Sequence, residues 1–322
     1  MRKKSIVTKV LGLALSVCLL TGCGGSPAAD SHVKIGSLKG PTSIGLMKLM
    51  DESATSMTDV SYSFEMATAA DELSPKLVSG ELDVALVPAN VASVLYNKTG
   101  GKVKVLNINT LGVLYGVSGN TGIKNVSDLT GKTVYVTNKG TTPDYCLQYL
   151  LKANEIALGD VNIEYKSEAQ EVAALLNENP EAVGILPEPF VTALCLKNEK
   201  LTPVLDLTSE WDKVALNGGR MVTGVTVIGP SFDLQMIETF ANDHRRSAAF
   251  ANENVDETAS LVVAAGIIEK EPLAKAAIPN CNITCIDGEE MKEDLKGYLE
   301  VLFDLDPASI GGALPGEDFY IP

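Results

Sequence analysis

The chain has 322 residues, of which 45% are hydrophobic and 5% aromatic, and its formal net charge is −15. This apolar content suffices for one large or two medium domains with real cores, so a disordered chain is excluded. The acidic balance argues against binding to nucleic acid or to anionic lipid head groups.

The first residues predict a secretory signal peptide at 1–22. A basic start precedes an apolar run from Val10 to Leu20, which is about half the length of a membrane-spanning helix. The next residues, Leu20-Thr21-Gly22-Cys23, are similar to the lipobox of bacterial lipoproteins, and this implies a lipid on Cys23. Small and polar residues then predict a flexible tether over 23–32. We expect a protein that is exported and anchored to the outer face of a membrane.

The rest of the chain alternates short β-branched strands with amphipathic segments, which predicts an α/β fold with parallel strands. Three segments recur at an offset of about 100 residues. The matched pairs are 33–42 with 133–142, 60–64 with 161–165, and 83–90 with 182–189. Strands and helices therefore recur in the same order, and we predict two similar βαβαβ lobes.

Two extended apolar stretches, near 111–117 and 221–228, flank the second repeat and contain glycines that would ease the dihedral changes of a hinge. Two ordinary core strands would be equally apolar. The flanking positions favour a two-strand hinge. We therefore predict lobe 1 at 33–112 and 225–322, lobe 2 at 113–224, and helices at 231–251, 253–266 and 288–303 that pack on lobe 1.

The two strongest strand-to-helix turns share the pattern Lys-Gly-x-Thr, at Lys39–Thr42 and Lys139–Thr142. Ligands of open α/β sheets bind at the carboxyl ends of strands, beside helix N-termini with free N–H groups. We predict that both turns face one cleft, that the two threonines are N-caps, and that the two lysines bind an anionic ligand. Lysines that are merely solvated remain the alternative.

Other strand ends add candidate ligand contacts. Glu188, between two prolines, would either receive a ligand amine or cap its own helix. Asn90 offers both a donor and an acceptor. The complete predicted ligand-binding set is Leu38, Lys39, Gly40, Thr42, Met66, Pro88, Asn90, Lys139, Gly140, Thr141, Thr142 and Glu188.

The sequence offers little support for catalysis. Its two histidines, His32 and His244, lie in the tether and in a charged helix, so a nucleophile would lack a placed base. No dinucleotide or phosphate-loop motif and no metal-ligand spacing occurs, and we expect no enzyme activity, no metal and no cofactor. Cys281 and Cys285 are close enough in sequence for a loop disulfide, although two free thiols are equally compatible with the spacing.

The region 33–322 resembles type II periplasmic binding proteins of ABC importers, in the class that takes up nitrate, sulfonates, taurine and thiamine precursors. The similar strings are Asp128-Leu129-Thr130-Gly131-Lys132, the Gly36–Thr42 turn and Leu186-Pro187-Glu188-Pro189-Phe190. The resemblance implies a monomeric two-lobed clamp that closes on a small molecule and delivers it to a membrane permease and its ATPase. A small acid such as a sulfonate suits the lysines best, because aromatic residues for stacking on a pyrimidine are few.

Two other functions stay open at this point. A few enzymes that act on small organic acids use the same fold, and so do extracytoplasmic sensor domains. The lipobox argues against the first, and the lack of a spanning helix after the domain argues against the second.

Overall fold

The computed structural model describes residues 32–58, 60–215 and 219–322. The predicted signal peptide and the lipidation site at Cys23 lie outside the described residues. The strands are β1 (His32–Leu38), β2 (Ser61–Ala67), β3 (Val84–Pro88), β4 (Lys104–Leu111), β5 (Leu114–Ser118), β6 (Thr133–Thr137), β7 (Asn162–Lys166), β8 (Val183–Pro187), β9 (Thr202–Asp206), β10 (Val222–Ile228) and β11 (Ile283–Ile286).

The helices connect these strands. They are α1 (Pro41–Ile44), α2 (Met47–Ala54), α3 (Ala70–Ser79), α4 (Ala89–Thr99), α5 (Thr142–Ala153), α6 (Ala169–Glu178), α7 (Phe190–Lys197), α8 (Leu207–Val214), α9 (Ile237–Glu253), α10 (Val255–Ala264), α11 (Glu271–Ala277) and α12 (Gly288–Leu305). No helix in the described ranges is both long and apolar enough to cross a membrane.

The strands form two sheets with the same internal order. Sheet 1 has the order β11-β4-β10-β3-β1-β2, and sheet 2 has the order β7-β6-β8-β5-β9. In each, the first strand of a repeat lies parallel between the second and the third, and an antiparallel strand pairs with the third. The predicted α/β fold with two similar βαβαβ lobes is confirmed.

The chain passes between the two sheets at two connections. The first is Gly112-Val113, between the end of β4 in sheet 1 and the start of β5 in sheet 2. The second runs from the end of α8 to the start of β10, so the predicted hinge stretch 221–228 consists mostly of a strand inside sheet 1. The lobe boundaries at 112–113 and 224–225 stay a prediction.

Helix α12 differs from the expected packing on lobe 1 alone. Its buried residues Leu295, Tyr298 and Leu302 belong to one hydrophobic cluster with strands of both sheets. The Tyr298 ring lies 5.5 Å from the ring of Trp211 on α8, measured between centroids. Helix α12 therefore joins the core of sheet 1 to the helices that cover sheet 2.

Candidate functional site

The turn after β1 is held by its own side chains. The hydroxyls of Thr42 and Ser43 both donate to the carbonyl of Leu38, at 2.9 and 2.6 Å. Gly40 has φ +143°, a value that side chains disfavour, and a Cβ there would meet no atom within 4 Å. The residue before α1 is Gly40 and not Thr42, so the predicted N-cap is wrong. Pro41 occupies the first helical position, and the Thr42 hydroxyl donates to the carbonyl of Leu38, four residues earlier in the chain.

The turn after β6 has a different internal support. Gly140 adopts φ +75°, and its N–H donates to Oδ2 of Asp144 at 2.8 Å. The hydroxyl of Thr141 donates to the carbonyl of Asn138, while Thr142 is the first residue of α5. Thr142 is therefore not the N-cap that we expected, because the preceding residue Thr141 holds that position.

Asp144 is the most buried acidic side chain at these turns, at 1% exposure. Besides Gly140, its carboxylate accepts from Gln148 at 2.8 Å and from the Tyr165 hydroxyl at 2.9 Å. A free N–H at the start of α5 was expected to bind the ligand. The Asp144 carboxylate accepts from the N–H of Gly140 instead, so this N–H is not free for a ligand.

Lys39 and Lys139 are both exposed at the tips of these turns. The Lys39 backbone N–H is held by the carbonyl of Ala67, and the Lys139 ammonium lies 5.4 Å from the centre of the Tyr165 ring. Neither ammonium group forms an ion pair with another residue of the described ranges. The two lysines therefore occupy equivalent positions of the repeat without an acidic partner, and the Lys139 ammonium is held over an aromatic ring.

Three further predicted residues lie at strand ends of sheet 1. Met66 is half-buried near the end of β2, and Pro88 ends β3 directly before α4. Asn90 is the second residue of α4, and its amide donates to the carbonyl of Ser309 at 3.3 Å. Asn90 thus already has a protein partner in the C-terminal segment.

Glu188 directly follows β8, and only 3% of it is exposed. Its two oxygens accept from the backbone N–H and the hydroxyl of Thr192, at 3.2 and 2.8 Å. Burial raises the pKa of the Glu188 carboxyl, while these hydrogen bonds act in the opposite direction. The contacts match the capping alternative, because Thr192 lies in the first turn of α7.

Two short segments connect strand ends of sheet 1 with strand ends of sheet 2. On one side, Asp306 accepts from the Tyr145 hydroxyl of α5 at 2.8 Å, and Ser309 three residues later accepts from Asn90. On the other side, the carbonyl of Asn280 accepts from the Tyr115 hydroxyl of β5 at 3.1 Å, and the carbonyl of Asn282 accepts from the N–H of Leu111, at the end of β4, at 3.0 Å. We call the space between the ends of β1 and β3 and the ends of β6 and β8 the cleft.

Buried polar side chains form the floor of the cleft on the side of sheet 1. The Asn109 amide donates to the Thr226 hydroxyl at 3.1 Å, and the Thr110 hydroxyl donates to Asn109 at 2.8 Å. A Cβ at Gly224 would lie 2.6 Å from both Asn109 and Thr42, so this glycine allows the close approach of strand and turn. We did not predict this floor, because Asn109 lies within an apolar strand whose register is not evident from sequence.

Neither histidine is available in the cleft: His32 lies on β1 beside β2, and His244 is buried. His32 hydrogen-bonds Ser61 and Ser63 on β2, at 3.0 Å each. His244 is fully buried beside Asn107, and burial lowers its pKa to about 4. In the described ranges, no three His, Cys, Asp or Glu side chains converge as metal ligands would.

Cys281 and Cys285 are free thiols in the structure. Cys281 ends a 3-10 turn and its thiol donates to the carbonyl of Ala277, whereas Cys285 lies within β11. Burial raises the pKa of Cys285 to about 12, which disfavours the reactive thiolate. The disulfide alternative is therefore not the arrangement that the structure shows.

Solved structures share this fold. An ABC transporter structure from Parabacteroides distasonis is 24% identical, with a TM-score of 0.77 over 91% of this chain and 99% of that chain. The periplasmic aliphatic sulphonate-binding protein SsuA from Escherichia coli is 14% identical, with a TM-score of 0.69 over 90% and 96%. A Candida albicans protein described as having the generic periplasmic binding protein fold is 14% identical, with a TM-score of 0.54 over 89% and 92%. The predicted periplasmic binding protein fold is confirmed.

Sequence comparisons give a different kind of information. No curated protein matches the chain. A family model described as menaquinone biosynthesis matches residues 42–281, which is more than half of the sequence. The matched region begins at Thr42, after Lys39 and Gly40, and it contains the Gly140 turn, the cleft floor and the Glu188 turn. The chain belongs to the menaquinone biosynthesis family.

Proposed function

We propose that this protein is an extracytoplasmic solute-binding protein of an ABC importer, which holds a small anion in the cleft and catalyses no reaction. The observation that carries the proposal is the pair of exposed lysines on glycine turns, one at the end of β1 and one at the end of β6. Because the two turns belong to different sheets, an anion that contacts both lysines favours the closed arrangement of the sheets. The partners are then a permease and its ATPase.

Three further observations support this proposal. Structural neighbours include an ABC transporter protein and sulfonate-binding proteins. The predicted signal peptide and lipidated Cys23 would keep the protein outside the cell and anchored to the membrane. Neither histidine of the sequence is placed to act as a general base in the cleft. His244 is buried, and His32 hydrogen-bonds two serines of the edge strand β2.

Membership of the menaquinone biosynthesis family favours a second candidate function. In this alternative the same cleft binds a small organic acid and converts it. Buried carboxyl groups such as Glu188, whose pKa is raised by burial, are the residues on which acid–base chemistry would depend. The two candidates differ in whether the bound molecule leaves the protein unchanged.

The lysines provide a direct test of the binding site. We expect the double variant Lys39→Met and Lys139→Met to weaken binding of a small anion by at least about 100-fold, since each hydrogen bond to a charged group contributes about 1.5–3 kcal/mol. The measurement is isothermal titration with methanesulfonate, taurine, nitrate and short carboxylates at two salt concentrations. The affinity of the unsubstituted protein should also fall at the higher salt concentration.

The matched control removes two positive charges elsewhere. Lys124 and Lys270 are exposed lysines outside the turns, and their joint replacement by methionine should leave the affinity unchanged. Equal affinities for the turn variant and the control variant would refute the role of the two turns in anion binding.

A further inference from the structure

A cavity of about 650 Å³ lies outside the cleft. Helix α5 contributes Tyr149 and Ala153, α8 contributes Trp211, and α12 contributes Val301 and Phe303. The contributing part of α5 begins seven residues after its first residue, Thr142, or about 10 Å along the helix axis from the Gly140 turn. The volume lies within the range of about 300–1,000 Å³ that is usual for small-molecule sites.

The lining of the cavity is aromatic at one side. The Tyr149 ring lies 4.2 Å from the Trp211 ring between centroids, and Trp211 is 1% exposed, so its position is fixed by packing. The Trp211 N–H donates to the carbonyl of Gly219 at 2.8 Å, and the Tyr149 hydroxyl donates to the carbonyl of Val214 at 3.0 Å. These rings are held rigidly before any ligand arrives.

The charged residues of the lining are mostly acidic. Glu155, Glu300 and Asp304 carry negative charge, and Lys152 is the one cation in the lining of described residues. Glu155 and Asp304 are exposed, at the ends of α5 and α12, whereas Glu300 is half-buried. An occupant therefore meets the half-buried aromatic side chains of Tyr149 and Phe303 together with an excess of negative charge.

We propose that this cavity is a second binding site, which takes a small organic cation with an apolar body, such as an arylalkyl ammonium. Aromatic faces attract cations through the ring quadrupole, and the neighbouring carboxylates add an attraction that an anion or a neutral molecule lacks. Its ligand has the opposite charge to the anion assigned to the cleft. The site does not depend on the function proposed for the cleft.

Trp211 makes the occupancy of this cavity directly observable. It is the one tryptophan of the sequence, so intrinsic tryptophan fluorescence reports on this site and not on the cleft. The probe is benzyltrimethylammonium, with phenylacetate and benzyl alcohol as the anionic and neutral comparison molecules. We expect a saturable change in fluorescence with the cation, and an affinity at least about tenfold lower for the two comparison molecules.

Two variants test the chemistry of the lining. Replacing Glu155 by Gln together with Asp304 by Asn should weaken binding of the cation about tenfold. The variant Ala153→Trp should abolish binding by filling the cavity. Because this variant adds a second tryptophan, its binding is measured by isothermal titration. Glu253→Gln with Glu269→Gln is the charge-matched control at exposed positions, and it should bind as the unsubstituted protein does. Circular dichroism verifies that each variant is folded.

Three results would overturn the proposal. They are the absence of saturable binding of the cation, equal affinities for the cation and phenylacetate, and an unchanged affinity in the Glu155 and Asp304 variant. Loss of anion binding in the variant of Lys39 and Lys139, with cation binding intact, would show that the two sites are independent.

Discussion

Replacement of Trp211 by alanine is expected to lower the free energy of unfolding by about 3–5 kcal/mol, the usual cost of removing a large buried aromatic side chain. Its indole is 1% exposed and lies between the rings of Tyr149 and Tyr298, 4.2 and 5.5 Å away between centroids. The substitution would leave a void where α5, α8 and α12 meet. It would also remove the donor that binds the carbonyl of Gly219.

Urea denaturation followed by circular dichroism measures this effect. The variant Trp211→Phe keeps an aromatic ring and loses the N–H, so it should cost less than the alanine variant. The phenylalanine variant separates the contribution of packing from that of the hydrogen bond. A loss below about 1 kcal/mol for Trp211→Ala would contradict the packing described for α12.

The second large effect concerns Asp144, and we expect Asp144→Ala to lower the free energy of unfolding by about 2–3 kcal/mol. The carboxylate accepts three hydrogen bonds, from Gly140, Gln148 and Tyr165, and hydrogen bonds to a charged group contribute more than neutral ones. The Gly140 turn would lose its internal support. Hydrogen exchange at the Gly140 amide should therefore become faster, in addition to the change in the denaturation midpoint.

Asp144→Asn is the matched variant. Its side-chain oxygen can keep the contacts of Oδ1 with Gln148 and Tyr165, while the amide nitrogen cannot accept from Gly140. We expect a smaller loss of stability, together with faster exchange of the Gly140 amide. Unchanged exchange in both variants would show that the turn does not depend on Asp144.

Much of the fold could be predicted from sequence because the repeat is a property of residue spacing. Val183–Pro187 follows Val84–Pro88 by 99 residues, and both are the third strands of their repeats. Helix starts were less accurate. The helix expected from 231 begins at Ile237, because Leu234–Met236 forms a 3-10 turn capped by Asp233. Local hydrogen bonds of this kind shift a boundary without changing the hydrophobic pattern.

The site was predicted at the level of strand ends and not at the level of contacts. The Lys-Gly-x-Thr pattern located two equivalent turns, and the glycines at 40 and 140 both have positive φ. Asp144 was missed although an acid in the first turn of a helix after proline is a recognisable signal. Asn280 and Asp306 were missed because they lie 165 and 161 residues along the chain from the tyrosines that they contact, Tyr115 and Tyr145.

The resemblance to nitrate, sulfonate and taurine-binding proteins predicted the fold correctly, while the family that matches the sequence is menaquinone biosynthesis. Both groups are compatible with a cleft between two repeated sheets. What differs is the ligand and its fate, and these depend on side chains at the turns rather than on the repeat.

The central claim is that the cleft binds a small anion and releases it unchanged. The most direct test is a thermal-shift screen of sulfonates, nitrate and carboxylates, followed by NMR of the recovered ligand after prolonged incubation with the protein. We predict stabilisation by at least one anion, by about 2.7 kcal/mol at 100 times its dissociation constant, and recovery of the same molecule. Conversion of that anion into a product, or no stabilisation by any anion, would contradict the account.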